Sequence, residues 1–245
     1  LNINHGVGAL HPERMSEVIC ELGADLGIAL DGDADRLIMS DEAGEILNGD
    51  ELLAIGALAY EAQGILNGGV VATIMTNLGL EKYLENRGIT LLRTAVGDRH
   101  VVEAMRKENY ALGGEQSGHL VLMDRATTGD GLAAALMILG EMTRQGKPLS
   151  AIRPNYTPFP QHQIGIVVSR KPPLESIPEI LGAILQAKDT LGSDGRVVTR
   201  YSGTEPKARV MVEGSNRVQV EQFANQIASA IRRTLGTQEN GSVPQ

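Results

Sequence analysis

From Leu26 to Gln145, short apolar runs of strand length alternate with helical stretches, and this alternation narrows the fold most. Strands and helices spaced this way bury their apolar faces as a sheet covered by helices, an α/β arrangement. A helix is expected from Pro12, with Met15, Val18, Ile19 and Leu22 at helical spacing, then a strand over 26–30. A hairpin follows (36–40 and 45–47, turning at 41–44), then a helix over 49–66 that carries Leu52, Leu53, Ile55, Leu58 and Ala59 inward. Further strands are expected at 69–75, 89–94, 110–113 and 120–123. The helices between and after them span 77–87, capped by Asn77, 97–107, and 129–145, with Leu132, Leu136 and Leu139 on one face.

Residues 146–160 hold Pro148, Pro154, Pro158 and Pro160 and little periodicity, which predicts a linker. Beyond it lies a compact β-α-β-β-α pattern: strands at 163–169, 196–201 and 208–213, with a helix over 174–188. In the final helix Val220, Phe223, Ile227, Ile231 and Leu235 form an amphipathic stripe, read as core rather than as a binding face. The polar tail over 237–245 is expected to be disordered. No internal repeat and no low-complexity segment is visible.

Charge excludes one class of partner. The 245 residues carry 22 lysines and arginines against 30 acidic residues, a net −8 with no basic patch, so a nucleic-acid partner is disfavoured. No apolar run reaches the roughly 18 residues of a membrane span. The single Cys20 cannot form an internal disulfide; at an apolar position of a helix it reads as a buried thiol in a reducing cytosol. The chain opens on Leu1, with no leader pattern, and its first residues read as mid-protein, which suggests a fragment.

Asp31, Asp33 and Asp35 occupy alternate positions directly after a buried strand. Three carboxylates converging on one point repel each other unless a cation sits between them, and hard oxygen ligands select Mg²⁺ or Ca²⁺. Gly32 allows a tight turn, and Arg36 places a positive charge beside the cation, suited to a phosphoryl group. Glu42 falls at the twelfth position of an EF-hand count, yet Arg36 stands where that loop needs glycine and the preceding element is a strand. A calcium hand is therefore rejected.

Two more loops carry polar chemistry. Gly113-Gly114-Glu115-Gln116-Ser117-Gly118-His119 joins two short strands, and its carboxylate, amide, hydroxyl and imidazole suit a sugar's hydroxyls. His119 could also move protons near neutral pH. Arg200-Tyr201-Ser202-Gly203-Thr204-Glu205-Pro206, with Arg209 on the next strand, offers hydroxyls, free amides and arginines, a phosphate cradle. Taken singly, either loop reads as an ordinary polar hairpin.

The three loops in this order resemble the α-D-phosphohexomutase superfamily, with its Asp-Gly-Asp-x-Asp-Arg metal loop, Gly-Glu-x-Ser-Gly-His sugar loop and C-terminal phosphate loop. Asn2-Ile3-Asn4, His11-Pro12-Glu13, Val96-Gly97-Asp98-Arg99, Gln116 and Arg200-x-Ser-Gly-Thr-Glu-Pro206 are similar to the phosphoglucosamine mutases within it, over nearly the whole chain. The resemblance implies mixed-sheet α/β/α domains followed by a smaller α+β domain like the TATA-binding protein. It divides the chain into the end of a second domain (1–47, metal loop), a third domain (48–150, sugar loop) and a fourth (151–236, phosphate loop).

By the same resemblance Asp31, Asp33 and Asp35 bind Mg²⁺, and Arg36 lies near the transferred phosphoryl. Glu115 and Ser117 hold sugar hydroxyls, and His119 is an acid/base or positioning group. Arg200, Ser202, Gly203, Thr204 and Arg209 hold the non-reacting phosphate. Tyr201 and His100 stand where proline and tyrosine are common; the first bears on loop stiffness, the second on an open role. The implied reaction interconverts glucosamine 6-phosphate and glucosamine 1-phosphate through a phosphoserine, with glucosamine (or glucose) 1,6-bisphosphate as intermediate or activator. It serves UDP-N-acetylglucosamine and cell-wall synthesis in the cytoplasm, and a homodimer is implied by likeness alone. No serine here (Ser16, Ser40, Ser150 or another) precedes the His-Asn-Pro of the phosphoserine loop, so this chain alone is expected to be inactive. The alternatives are a phosphomannomutase or phosphoglucomutase, and a non-catalytic phosphosugar-binding fragment.

Overall fold

Strands and helices alternate as expected through residues 3–236, the part of the chain that the computed structural model describes. The tail over 237–245 and Asn2 lie outside these residues. The described chain divides into two compact units between Thr157 and Pro158.

The first unit begins with α1 (Glu13–Leu22), β1 (Leu26–Leu30), β2 (Leu37–Asp41) and β3 (Ile46–Leu47), whose strands form an antiparallel sheet in the order β1-β2-β3. There follow α2 (Gly49–Ala62), β4 (Gly69–Thr73), α3 (Leu78–Glu85), β5 (Thr90–Thr94), α4 (Asp98–Glu108), β6 (Leu112–Gly114), β7 (Leu120–Leu122), α5 (Gly131–Gln145) and α6 (Leu149–Ile152). The second sheet has the order β5-β4-β6-β7; β5, β4 and β6 run parallel and β7 antiparallel, so the sheet is mixed. Every residue of β4 is buried, which is why Val70, Val71 and Ala72 show no polar alternation.

Helix α2 is buried on nearly all sides, so its start is marked by capping rather than by amphipathicity. The Asn48 side chain accepts from the amides of Asp50 and Glu51, while Glu51 accepts from the Asn48 amide at 3.0 Å. Such a capping box contributes about 1 kcal/mol. The other Glu51 carboxylate oxygen pairs with Arg153 at 2.6 Å, tying α2 to the end of α6. One core joins both sheets: Leu37, Met39 and Leu47 pack with Leu52, Leu53, Leu112 and Ile138.

The second unit contains β8 (Gln161–Val167), α7 (Pro178–Leu191), β9 (Gly195–Tyr201), β10 (Lys207–Gly214) and α8 (Arg217–Leu235). Its sheet is antiparallel in the order β8-β10-β9, and α7 and α8 cover it. Val220, Phe223, Ile227, Ile231 and Leu235 are all buried, as the stripe requires.

Several expectations need correction. The α2 helix ends at Ala62, where Gln63–Gly64 turns away, rather than at 66. The expected 174–188 helix starts at Pro178 after one 3₁₀ turn, Leu174–Ser176. The segment over 146–160 contains a helix, α6. Leu132 and Leu136 are 56% and 60% exposed, because α5 instead turns its small residues Gly131, Ala134 and Ala135, with Ile138, inward. Small side chains let α5 approach α2, β2 and β7 closely. Cys20 is exposed: α1 buries only Ile19, and the Cys20 thiol lies 3.4 Å from the Ala43 carbonyl at the β2–β3 turn. Among the described residues no helix is long and apolar enough to cross a membrane.

Candidate functional site

Because β1 and β2 are antiparallel neighbours paired from Leu30–Leu37, residues 31–36 form a short connection at the end of the pair. Its tightness shows at Ala34, a non-glycine residue at φ +60°, whose carbonyl accepts from the Gly131 amide at 2.9 Å. Asp31, Asp33 and Asp35 each offer a carboxylate oxygen, all within 4.8 Å of one another. The Asp31 side chain is 7% exposed, and its Oδ1 accepts from the Arg36 amide at 3.2 Å. The Arg36 Nε lies 3.7 Å from both Asp31 and Asp35.

Burial pushes the Asp35 carboxyl above its ordinary range; Asp31 and Asp33 add to this, while His119 and Arg36 oppose it. Its Oδ1 is buried and accepts no hydrogen bond among the described residues. An all-oxygen cluster that is short of positive charge in this way fits a hard divalent cation such as Mg²⁺.

The loop over 113–119 is locked onto this connection by backbone bonds. Leu37 donates to the Gly118 carbonyl at 3.0 Å, Gly49 donates to the Gln116 carbonyl at 3.1 Å, and Arg36 and His119 pair as an isolated antiparallel bridge. Gly118 has φ +93°, and a Cβ there would lie 2.1 Å from the Leu37 carbonyl oxygen, so only glycine permits this approach. The His119 side chain is 5% exposed, with Nδ1 3.2 Å from the Asp35 Oδ2. Gly129 covers its ring; a Cβ at that position would come within 2.3 Å of it.

Glu115 accepts from the Gly97 amide at 2.9 Å, at the start of α4, and from the Ser117 hydroxyl at 3.4 Å. His100 is partly buried in the first turn of the same helix. The first unit thus brings together Asp31, Asp33, Asp35, Arg36, Glu115, Ser117 and His119.

Sequence reasoning missed a polar network at the carboxyl ends of β4 and β5. Asp50, 1% exposed, accepts from the Asn77 amide at 2.9 Å and from the Gln116 side chain at 3.3 Å. Arg93 donates to the Thr73 and Thr76 carbonyls at 3.2 and 2.7 Å and pairs with Glu81 at 2.8 Å. The one available signal was local: Asp50 stands inside the Asn48–Glu51 capping box, and Asn77 caps α3.

In the second unit Arg200 and Arg209 stand opposite each other on β9 and β10. Between these strands Ser202 is buried; its amide donates to the Lys207 carbonyl at 2.8 Å and its hydroxyl accepts from the Glu205 amide at 3.3 Å. Lys171, which the motif reading also missed, donates to the Ser202 carbonyl at 2.7 Å. Gly203 and Thr204 are exposed. Glu205 bridges Lys207 at 2.5 Å and Arg209 at 2.8 Å, and these two cations hold its carboxyl below the usual range. The Tyr201 hydroxyl donates to the Pro172 carbonyl at 2.6 Å. Hydroxyl, exposed small residues and cations together can hold a dianion.

Comparison with known proteins bears on both units. Residues 48–159 match the family described as phosphoglucomutase/phosphomannomutase, alpha/beta/alpha domain III, and residues 164–230 match its C-terminal domain. Phosphoglucosamine mutase of Anaeromyxobacter sp. (strain Fw109-5) is 48% identical over 236 residues, 96% of this chain and 50% of that protein. Its counterpart in Agrobacterium fabrum (strain C58) is 49% identical over 232 residues, 94% of this chain and 51% of that protein. The chain spans about half the length of the curated relatives it matches. Among solved structures, Aspergillus fumigatus N-acetylphosphoglucosamine mutase in complex with GlcNAc-6P and magnesium aligns at TM-score 0.72 and 21% identity. The alignment covers 93% of this chain and 53% of that one, and shows a shared fold. The chain belongs to the phosphoglucomutase/phosphomannomutase family, whose third and C-terminal domains it carries.

Proposed function

We propose that this chain is the metal-, sugar- and phosphate-binding part of a phosphoglucosamine mutase, which interconverts glucosamine 6-phosphate and glucosamine 1-phosphate in the cytoplasm. The observation that carries the reading is the interlock of the aspartate loop with the Glu115–His119 loop through the Arg36–His119 bridge. It sets a carboxylate cluster suited to a cation beside a polar set suited to a sugar, at a separation fixed by backbone. Residues 1–47 are read as the end of a second domain, 48–150 as the third and 151–236 as the fourth.

A bound Mg²⁺ would be held by Asp31, Asp33 and Asp35 and would supply charge neutralisation at the transferring phosphoryl group. Arg36 adds a fixed positive charge there. Glu115, held by the Gly97 amide, accepts from sugar hydroxyls, and Ser117 both donates and accepts. Arg200, Ser202, Gly203, Thr204 and Arg209 fix the phosphate that does not react. The group transferred is a phosphoryl from a serine on a segment outside this chain to a sugar oxygen. A 1,6-bisphosphate forms, and its other phosphoryl returns to the serine. Both poses present a phosphate to the same cradle, so the recognition shared by the two poses comes from that phosphate and from hydroxyls common to both.

The test uses this chain extended to the full length of its relatives. Turnover of glucosamine 6-phosphate with Mg²⁺, lost in Asp33→Ala, is the expected result. Turnover of mannose or glucose phosphates alone would move the protein to a sister activity. The chain by itself should show no turnover, lacking the serine donor.

A further inference from the structure

Gln116 sits at the centre of the sugar loop with its carboxamide against Asp50, Nε2 to Oδ2 3.3 Å. A carboxylate only accepts hydrogen bonds, so the amide nitrogen must be the atom that faces it. Asp50 is itself fixed: it is 1% exposed, its amide donates to the Asn48 side chain at 2.9 Å, and its Oδ2 accepts from the Asn77 amide at 2.9 Å. Asp50 thereby joins three elements, the start of α2, the turn before α3 and the sugar loop. With the nitrogen committed, the Gln116 Oε1 is left, and it accepts no hydrogen bond among the described residues.

We propose that Asp50 is a positioning residue that sets the polarity of Gln116, so that the Gln116 carbonyl oxygen selects a sugar bearing an ammonium group. An amide free to rotate could offer either end, and would greet a hydroxyl as readily as an ammonium. A fixed carbonyl oxygen offers acceptance only, and hydrogen bonds from a charged donor are roughly twice as strong as neutral ones. The ligand class is a 2-amino-2-deoxyhexose phosphate, in preference to its 2-hydroxy counterpart. This inference rests on the sugar-loop reading above.

The experiment measures kcat/KM for glucosamine 6-phosphate over that for glucose 6-phosphate, in the chain extended to the length of its relatives. Gln116→Met keeps side-chain size and removes the acceptor; both values should fall, the aminosugar's by more, so that the ratio drops about tenfold. Asp50→Asn, which permits the amide to flip, should lower the ratio in the same direction by a smaller factor. In the Gln116→Met background Asp50→Asn should change the ratio no further, whereas a purely structural role for Asp50 would lower both substrates' values equally in either background. Binding of the two sugar phosphates followed by NMR reads the same ratio without turnover. An unchanged ratio in Gln116→Met, with the wild type preferring the aminosugar, overturns this inference and leaves the mutase reading intact. A wild type with no such preference overturns both.

Discussion

The aspartate loop of the first unit and the Ser202–Pro206 turn of the second both set carboxylates beside arginines, yet the carboxylates respond in opposite senses. Asp35 is held above the usual carboxylate range by burial and by two neighbouring aspartates, whereas Glu205 is held below it by Lys207 and Arg209. The difference follows from construction. Backbone bonds from a distant segment, Leu37 to Gly118 and Gly49 to Gln116, dock the 113–119 loop beside the aspartate connection, where His119 meets Asp35. The second is a hairpin whose charges lie within a few residues of each other and neutralise one another. A non-local scaffold can hold like charges in readiness for a cation. A local hairpin keeps an internal counter-ion that an incoming phosphate must displace.

The largest test of this contrast concerns the scaffold. Gly118→Ala places a Cβ against the Leu37 carbonyl at a positive φ and should cost about 3 kcal/mol or more in urea unfolding. Gly203→Ala, with nothing within 4 Å of the added Cβ, should stay within about 0.5 kcal/mol. Equal losses would dissolve the distinction between the two loops.

Ligand protection should divide in the same way. Mg²⁺ at a hundred times its dissociation constant stabilises what it binds by about 2.7 kcal/mol. Calorimetry should show this in the unfolding of the first unit and lose it in Asp33→Ala, whereas inorganic phosphate should protect the second unit and lose its effect in Arg209→Ala. Protection of both units by either ligand would blur the comparison.

The smallest effect is that of Glu205. Its folded-state pKa lies below its unfolded value, so its contribution is present at neutral pH and is lost as pH falls from the ordinary carboxylate value through the lowered one. Glu205→Gln should therefore differ from the wild type in melting temperature at neutral pH and converge with it in acid. A difference that grows in acid would reverse the assigned sign.

Legibility in the sequence tracked locality. Helix α8 could be read outright, because its apolar residues recur at helical spacing and its partners only had to exist. The three loops stood out in the sequence by their carboxylates, hydroxyls and arginines, and it was their order along the chain that carried the family resemblance. Helix α5 misled: Leu132 and Leu136 are the strongest apolar signal in it, yet the close packing partner selected Ala134, Ala135 and Ile138. Cys20 misled in the same way, being apolar in type but set beside a turn that leaves it open. Asp50 read as one more acid at a helix start; its hold on Gln116 depends on residues far along the chain.

The order of strands and helices and the surplus of acid were thus settled by residue type and spacing alone. These are properties of neighbouring residues, and backbone sterics and hydrophobic period act over a few positions. Which loop meets which was decided only in three dimensions: Arg36 beside His119, the Leu37 amide on Gly118, Asp50 against Gln116 and Asn77. Close packing makes each such meeting conditional on every segment between, and a one-dimensional pattern holds no record of that condition.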